Sequence, residues 1–146
     1  MEAIVQDTFG SPTDVLKVKE IDSPAVGDGD VLVQVGAASI HIGDFYTIAG
    51  VPYVMRPLFA TLRTKNRVVG ADMAGTVEAV GKEVSQFQPG DEVFGSYKGA
   101  FAERVSFPAK KLALKPSNLT LEQASAVGVS ALTALQALRD HGKVQA

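Results

Sequence analysis

The chain has neither cysteine nor tryptophan in its 146 residues. Without cysteine, disulfides, thiolate nucleophiles and cysteine-ligated zinc sites are excluded together. No charge sign is in excess. Fourteen Lys and Arg stand against sixteen Asp and Glu, a net charge of −2, and the two signs are interspersed, so neither a nucleic-acid nor an anionic-membrane partner is expected. No apolar run approaches the roughly 18 residues that suggest a membrane span. Met1 to Asp7 lacks the basic start and apolar stretch of a signal peptide, which makes a cytoplasmic location the expectation. Phosphate-binding signatures are missing as well. Gly27-Asp28-Gly29 begins a G-x-G-x-x-G pattern, but Leu32 stands in the third glycine's place. Gly70 to Gly75 has Walker A spacing, but Thr76 replaces the lysine that must reach the phosphates. No G-x-S-x-G elbow occurs, and the two histidines, His41 and His141, lie far apart in sequence.

What is present reads as a β domain. The 14 glycines suit tight turns and close backbone contacts. Met1 to Asp7 alternates loosely and ends at the turn Phe9-Gly10-Ser11-Pro12. Val15 to Ile21 is a period-two run, and Val31 to Val35 is a strong strand. Asp22-Ser23-Pro24 and Gly27 to Asp30 carry turn chemistry. Gly43 to Gly50 predicts one short helical turn. Residues 51–67, with Arg56, Arg63, Lys65 and Arg67, read as a mobile, solvated basic loop. Ala74 to Val80, Glu92 to Tyr97, Phe101 to Phe107 and Lys111 to Lys115 follow at the short spacing of a barrel or sandwich. Thr120-Leu121-Glu122-Gln123 is a capping box. After it, Ala124, Val127, Ala131, Leu135 and Leu138 recur at helical spacing, and Gly142 is a helix stop. The stripe from Val127 to Leu138 is expected to pack. An apolar helix face at a chain end needs a cover, so the chain is expected to be incomplete. The helix and any unpaired barrel edge are the expected surfaces of self-association.

Three stretches in order and spacing resemble the medium-chain dehydrogenase/reductase family, on its zinc-independent, quinone-oxidoreductase-like branch. They are Val33 to Asp44; Val69 to Gly81 continuing through Phe87-Gln88-Pro89-Gly90-Asp91; and Gly99 to Val105, running on through Lys115-Pro116 to Ala126 to Ala134. The resemblance implies a mainly β, GroES-like, partly open barrel with short helices over residues 1–125. It implies that residues 126–146 are a connecting helix leading to a Rossmann domain outside this chain. It also implies that NADP or NAD serves the full-length parent, while none binds this chain by itself. The implied activity is hydride transfer between that cofactor and a small-molecule quinone, enone or other carbonyl compound. The alternative is a stand-alone GroES-like binding or scaffold module without redox activity.

The resemblance also assigns positions. In zinc-dependent relatives a cysteine, a histidine and a third residue hold the metal. The matching positions are His41, Ala71 and Val129, and one ligand of three cannot hold a four-coordinate zinc ion. His41 stands where relatives usually carry asparagine, facing the cofactor cleft. It is a candidate catalytic and cofactor-binding residue, donating a hydrogen bond to a carbonyl oxygen or relaying a proton; it is equally readable as a polar filler bonded to backbone. Asp44 is a second catalytic candidate, or a brace within the turn. Tyr46 and Tyr53 are the candidate substrate-binding walls for a flat quinone or enone; Tyr46 is equally readable as a core residue. Thr133 matches a threonine that borders the nicotinamide, or it bonds to its own helix. Asp72 is expected to brace the turn after Gly70.

Overall fold

The computed structural model describes residues 1–57 and 67–144. Arg63 and Lys65 of the predicted basic loop lie outside the described residues. Two antiparallel sheets carry the fold. The smaller has the order β2-β1-β4, from Leu16–Glu20, Glu2–Gln6 and Arg67–Val68. The larger has the order β7-β3-β5-β6-β8, from Arg104–Pro108, Asp30–Ser39, Asp72–Val80, Glu92–Ser96 and Leu112–Leu114. Helices are short: α1 (Pro12–Val15), α2 (Ile42–Ala49), α3 (Leu121–Ser125) and α4 (Gly128–Gln136), which continues as a π-helical turn over Ala137–His141.

The core follows from strand alternation. Val31 and Val33 of β3, Met73 and Val77 of β5, Val93 of β6 and Phe107 of β7 point inward, and each is at most 2% exposed. Burial of such side chains is the main stabilising term of a domain this size. The long pairing of β3 with β5 runs from Val31↔Val80 to Ser39↔Asp72, with register shifts at Leu32/Val33 and Val35/Ala37. Such bulges bend a strand and let a sheet wrap. The segment before β7 joins the sheets: Ile4 N donates to Phe101 O at 2.8 Å, Phe101 N to Val69 O at 2.9 Å and Glu103 N to Glu2 O at 3.1 Å. This is why Phe101 to Phe107 is not one strand: its first three residues bridge to the other sheet, and β7 begins only at Arg104. On the outer surface, Arg104 Nε donates to both carboxylate oxygens of Glu78 (2.8 and 3.1 Å), which raises the guanidinium pKa.

The capping box at Thr120 is formed. Gln123 N donates to Thr120 Oγ1 at 3.2 Å and Thr120 N to Gln123 Oε1 at 3.0 Å. It sets α3 so that Ala124 and Ser125 are buried and Ser125 O accepts from Ser39 Oγ at 2.9 Å. Thr120→Ala should lower stability by about 1 kcal/mol, and Thr120→Ser should restore most of it; the midpoint of urea unfolding measures both.

Further sequence expectations change. Residues 51–57 are not featureless, since Tyr53–Met55 form a 3-10 turn, and Arg67 pairs in β4 with Gln6. Arg56 is also not merely solvated, because it stacks between two aromatic rings. The expected apolar stripe is not packed: residues 130–144 are exposed throughout, with Leu135 at 47% and Leu138 at 59%. The physical reason is that α4 leaves the sheet after its first turn, so Ala131, Leu135 and Leu138 meet no strand. No described helix is long and apolar enough to cross a membrane.

Candidate functional site

The site grows from the end of β3. After Ser39 the chain leaves the sheet and enters α2, whose N-cap is His41. Its Nδ1 accepts a hydrogen bond from Gly43 N at 3.0 Å, and the Asp44 carboxylate accepts from His41 N at 3.0 Å. This is a capping box in which histidine takes the place of serine or threonine. Gly43 makes it fit, since a Cβ there would lie 2.7 Å from the imidazole Cε1. Gly50, at φ 67°, closes the helix in the left-handed conformation.

The cap also fixes the histidine's chemistry. A nitrogen that accepts a hydrogen bond carries no proton, so the neutral ring holds its proton on Nε2. Nε2 is buried without a hydrogen-bond partner. It lies 3.7 Å from Asp44 Oδ2, beyond a good hydrogen bond. Asp44 itself is 4% exposed, and the carboxylate oxygen that accepts from His41 N is occupied in the cap. The geometry therefore gives Asp44 the bracing role, and gives His41 a capping role with one donor left over.

Tyr46 lies on α2, 45% exposed, with its ring edge-to-face with Phe45 at 5.9 Å. Tyr53 lies beyond the C-terminus of α2 and is 70% exposed. Thr133 is exposed on α4. Residues 41–53 are thus gathered around one helix, while Thr133 sits on a separate element. A cavity of about 450 Å³ opens between the sheets, lined by Ile4, Val18, Val35, Ile40 and Phe101 among others. None of the candidate site residues lines it.

One residue has a different task from the one expected. Asp72 is 1% exposed and does not brace the turn after Gly70. Its Oδ2 accepts from Val129 N at 3.0 Å, across 57 residues of sequence. Gly128 permits the approach, because a Cβ there would lie 2.6 Å from Asp72 Oδ1. The sequence holds one signal for this. Val127 occupies the N-cap of α4 and offers no side-chain acceptor, so the helix start needs a carboxylate from elsewhere.

The three positions matched to zinc ligands do not fit the metal. Nδ1 of His41 is engaged by Gly43, Ala71 has no donor atom, and Val129 offers only a backbone amide already bonded to Asp72. Among the described residues no group of three or more His, Asp or Glu could hold a metal ion.

A family model described as the alcohol dehydrogenase GroES-like domain matches residues 27–117. The quinone oxidoreductase of Sus scrofa is 34% identical over 149 residues, spanning 100% of this chain and 43% of that protein. A probable zinc-binding oxidoreductase, mitochondrial, of Arthroderma benhamiae is 33% identical over 140 residues, covering 93% of this chain and 39% of its own length. The crystal structure of Escherichia coli quinone oxidoreductase complexed with NADPH superposes with a TM-score of 0.84 at 25% identity, over 97% of this chain and 41% of that one. The chain thus spans about two-fifths of the length of the relatives it matches. On the match to the domain model, supported by these likenesses, the chain belongs to the medium-chain dehydrogenase/reductase family, on its quinone-oxidoreductase-like branch, as an alcohol dehydrogenase GroES-like domain.

Proposed function

We propose that this chain is the substrate-side domain of a zinc-independent, NADPH-dependent reductase of quinones, enones or related carbonyl compounds. Residues 1–125 form that domain, and residues 126–146 connect it to a nucleotide-binding domain. The observation that carries the reading is the donor set at the matched metal positions, which offers one imidazole and no second or third ligand. With no Lewis acid held there, charge developing on a carbonyl oxygen must be met by hydrogen-bond donors.

This chain supplies one such donor. The proton on His41 Nε2 is not committed within the cap, and it stands at the N-terminus of α2, where the helix dipole favours negative charge. The His41 side chain is 15% exposed and Nε2 itself is buried, so a carbonyl reaches that proton only when a neighbouring group moves aside. Asp44 keeps the ring in place through the cap and does not touch the substrate. Tyr46 and Tyr53 supply exposed aromatic faces for a flat molecule. NADPH, when bound, supplies the hydride. This chain can meet only its nicotinamide end, at His41 and Thr133, because it has no glycine-rich phosphate turn.

The test uses the full-length gene product. Reduction of a benzoquinone by NADPH should persist after exhaustive treatment with a zinc chelator, at a metal content well below one zinc per chain. Activity abolished by the chelator and restored by zinc would overturn the reading. A second expectation concerns the isolated 146-residue chain, in which calorimetry should detect no NADPH binding; micromolar affinity there contradicts the division of labour proposed.

A further inference from the structure

The turn after α2 is braced by the Arg56 side chain. Arg56 Nε donates to Gly50 O at 3.0 Å. Its guanidinium carbon lies 4.5 Å from the Tyr53 ring centre and 5.5 Å from that of Phe9. Phe9 in turn rests on Gly50, where an added Cβ would approach its ring to 2.7 Å. One guanidinium therefore connects three segments: the turn after β1, the C-terminal end of α2 and the 3-10 turn. A cation at that helix end also complements its dipole.

We propose that Arg56 is a positioning residue that holds Tyr53 as a substrate wall and so selects flat aromatic carbonyl compounds over small acyclic ones; this rests on the substrate-domain reading above. Tyr53 is 70% exposed and, among the described residues, its ring has one stacking partner, the guanidinium. Without that partner the ring is free to redistribute among staggered rotamers. With it, one face is covered and the other stays open in a fixed plane. A planar two-ring quinone gains from such a plane. A small acyclic enone, with no extended face to stack, gains little.

Steady-state kinetics of the full-length gene product test this with a naphthoquinone and methyl vinyl ketone. Arg56→Leu should raise KM for the naphthoquinone about fivefold while leaving kcat within about twofold and KM for the ketone unchanged. In a Tyr53→Ala background, Arg56→Leu should add nothing, since the effect runs through the Tyr53 ring. Arg56→Lys keeps the charge without the planar fork and should resemble Arg56→Leu. An unchanged naphthoquinone KM, equal effects on both substrates, or the same rise in the Tyr53→Ala background would overturn the proposal. If the wild type shows no NADPH-dependent turnover, the functional reading fails, and positioning is judged on the chain itself. In an NMR titration with naphthoquinone, the Tyr53 ring resonances should move, and Arg56→Leu should weaken the apparent affinity about fivefold; no movement, or no weakening, refutes it.

Discussion

Asp72→Ala should lower the stability of the chain by about 3 kcal/mol and open the first turn of α4. Two effects oppose each other. A buried carboxylate carries a desolvation cost, and Oδ1 of Asp72 has no hydrogen-bond partner, so that cost is incompletely offset. Against it stand a charge-assisted bond to Val129 N and the positive end of α4, together worth about 2–4 kcal/mol in a partly buried setting. Alanine removes the acceptor and leaves the amide and a small void behind, so the loss dominates. Asn is the discriminating variant. Asp72→Asn retains one acceptor oxygen and gives up the charge, and should cost only about 1 kcal/mol. Urea unfolding measures both, and amide exchange at Val129 should accelerate in the Ala variant well before global unfolding. An Ala variant within about 0.5 kcal/mol of wild type would mean that the helix start finds another partner.

Gly75→Ala should be at least as damaging. Alanine is ordinarily the better strand residue, because glycine carries the larger entropy loss on folding. Here a Cβ would sit 2.1 Å from the Gln34 carbonyl oxygen and 2.9 Å from Val33 Cγ1. The first obstacle is backbone in the neighbouring strand, at the point where Gly75 pairs with Val35 beside a register shift. A backbone atom cannot rotate away, so the two central strands of the larger sheet must separate. We expect a loss of about 3 kcal/mol or more. Gly29→Ala is the internal control, since a Cβ there meets nothing within 4 Å, and it should leave stability unchanged or raise it by about 0.5 kcal/mol. Equal unfolding midpoints for the two variants would contradict the close approach at Gly75.

Local pattern made much of this fold legible. The alternation at Val31 and Val33 marks the face that the core buries, and the Thr120–Gln123 box announces α3 from four residues. The residues quoted from Val33 to Asp44 and Val69 to Gly81 carry the family likeness that the domain model also finds. What stayed hidden has a common cause, which is dependence on groups distant in sequence or on an unusual use of a side chain. Histidine is rarely the acceptor of a capping box, so His41 reads as a catalytic candidate before it reads as a cap. Asp72 reads as a local brace because nothing near it shows that Val129 lies within reach. Arg56 reads as one basic residue in a charged stretch until Phe9 and Tyr53 are seen on either side. The stripe at Ala131, Leu135 and Leu138 has a correct helical period, but periodicity says only that a face is apolar, not whether a partner is present to cover it.

The bond from Asp72 to Val129 has a mechanical consequence. The helix is fastened to the sheet at its first turn, and everything from residue 130 to 144 is exposed. From Val129 to His141 the helical rod is about 18 Å long, so a tilt of about 10° at the fastening moves the far end by about 3 Å. The 3.0 Å bond from Val129 N to Asp72 therefore sets the direction in which the rod leaves the sheet.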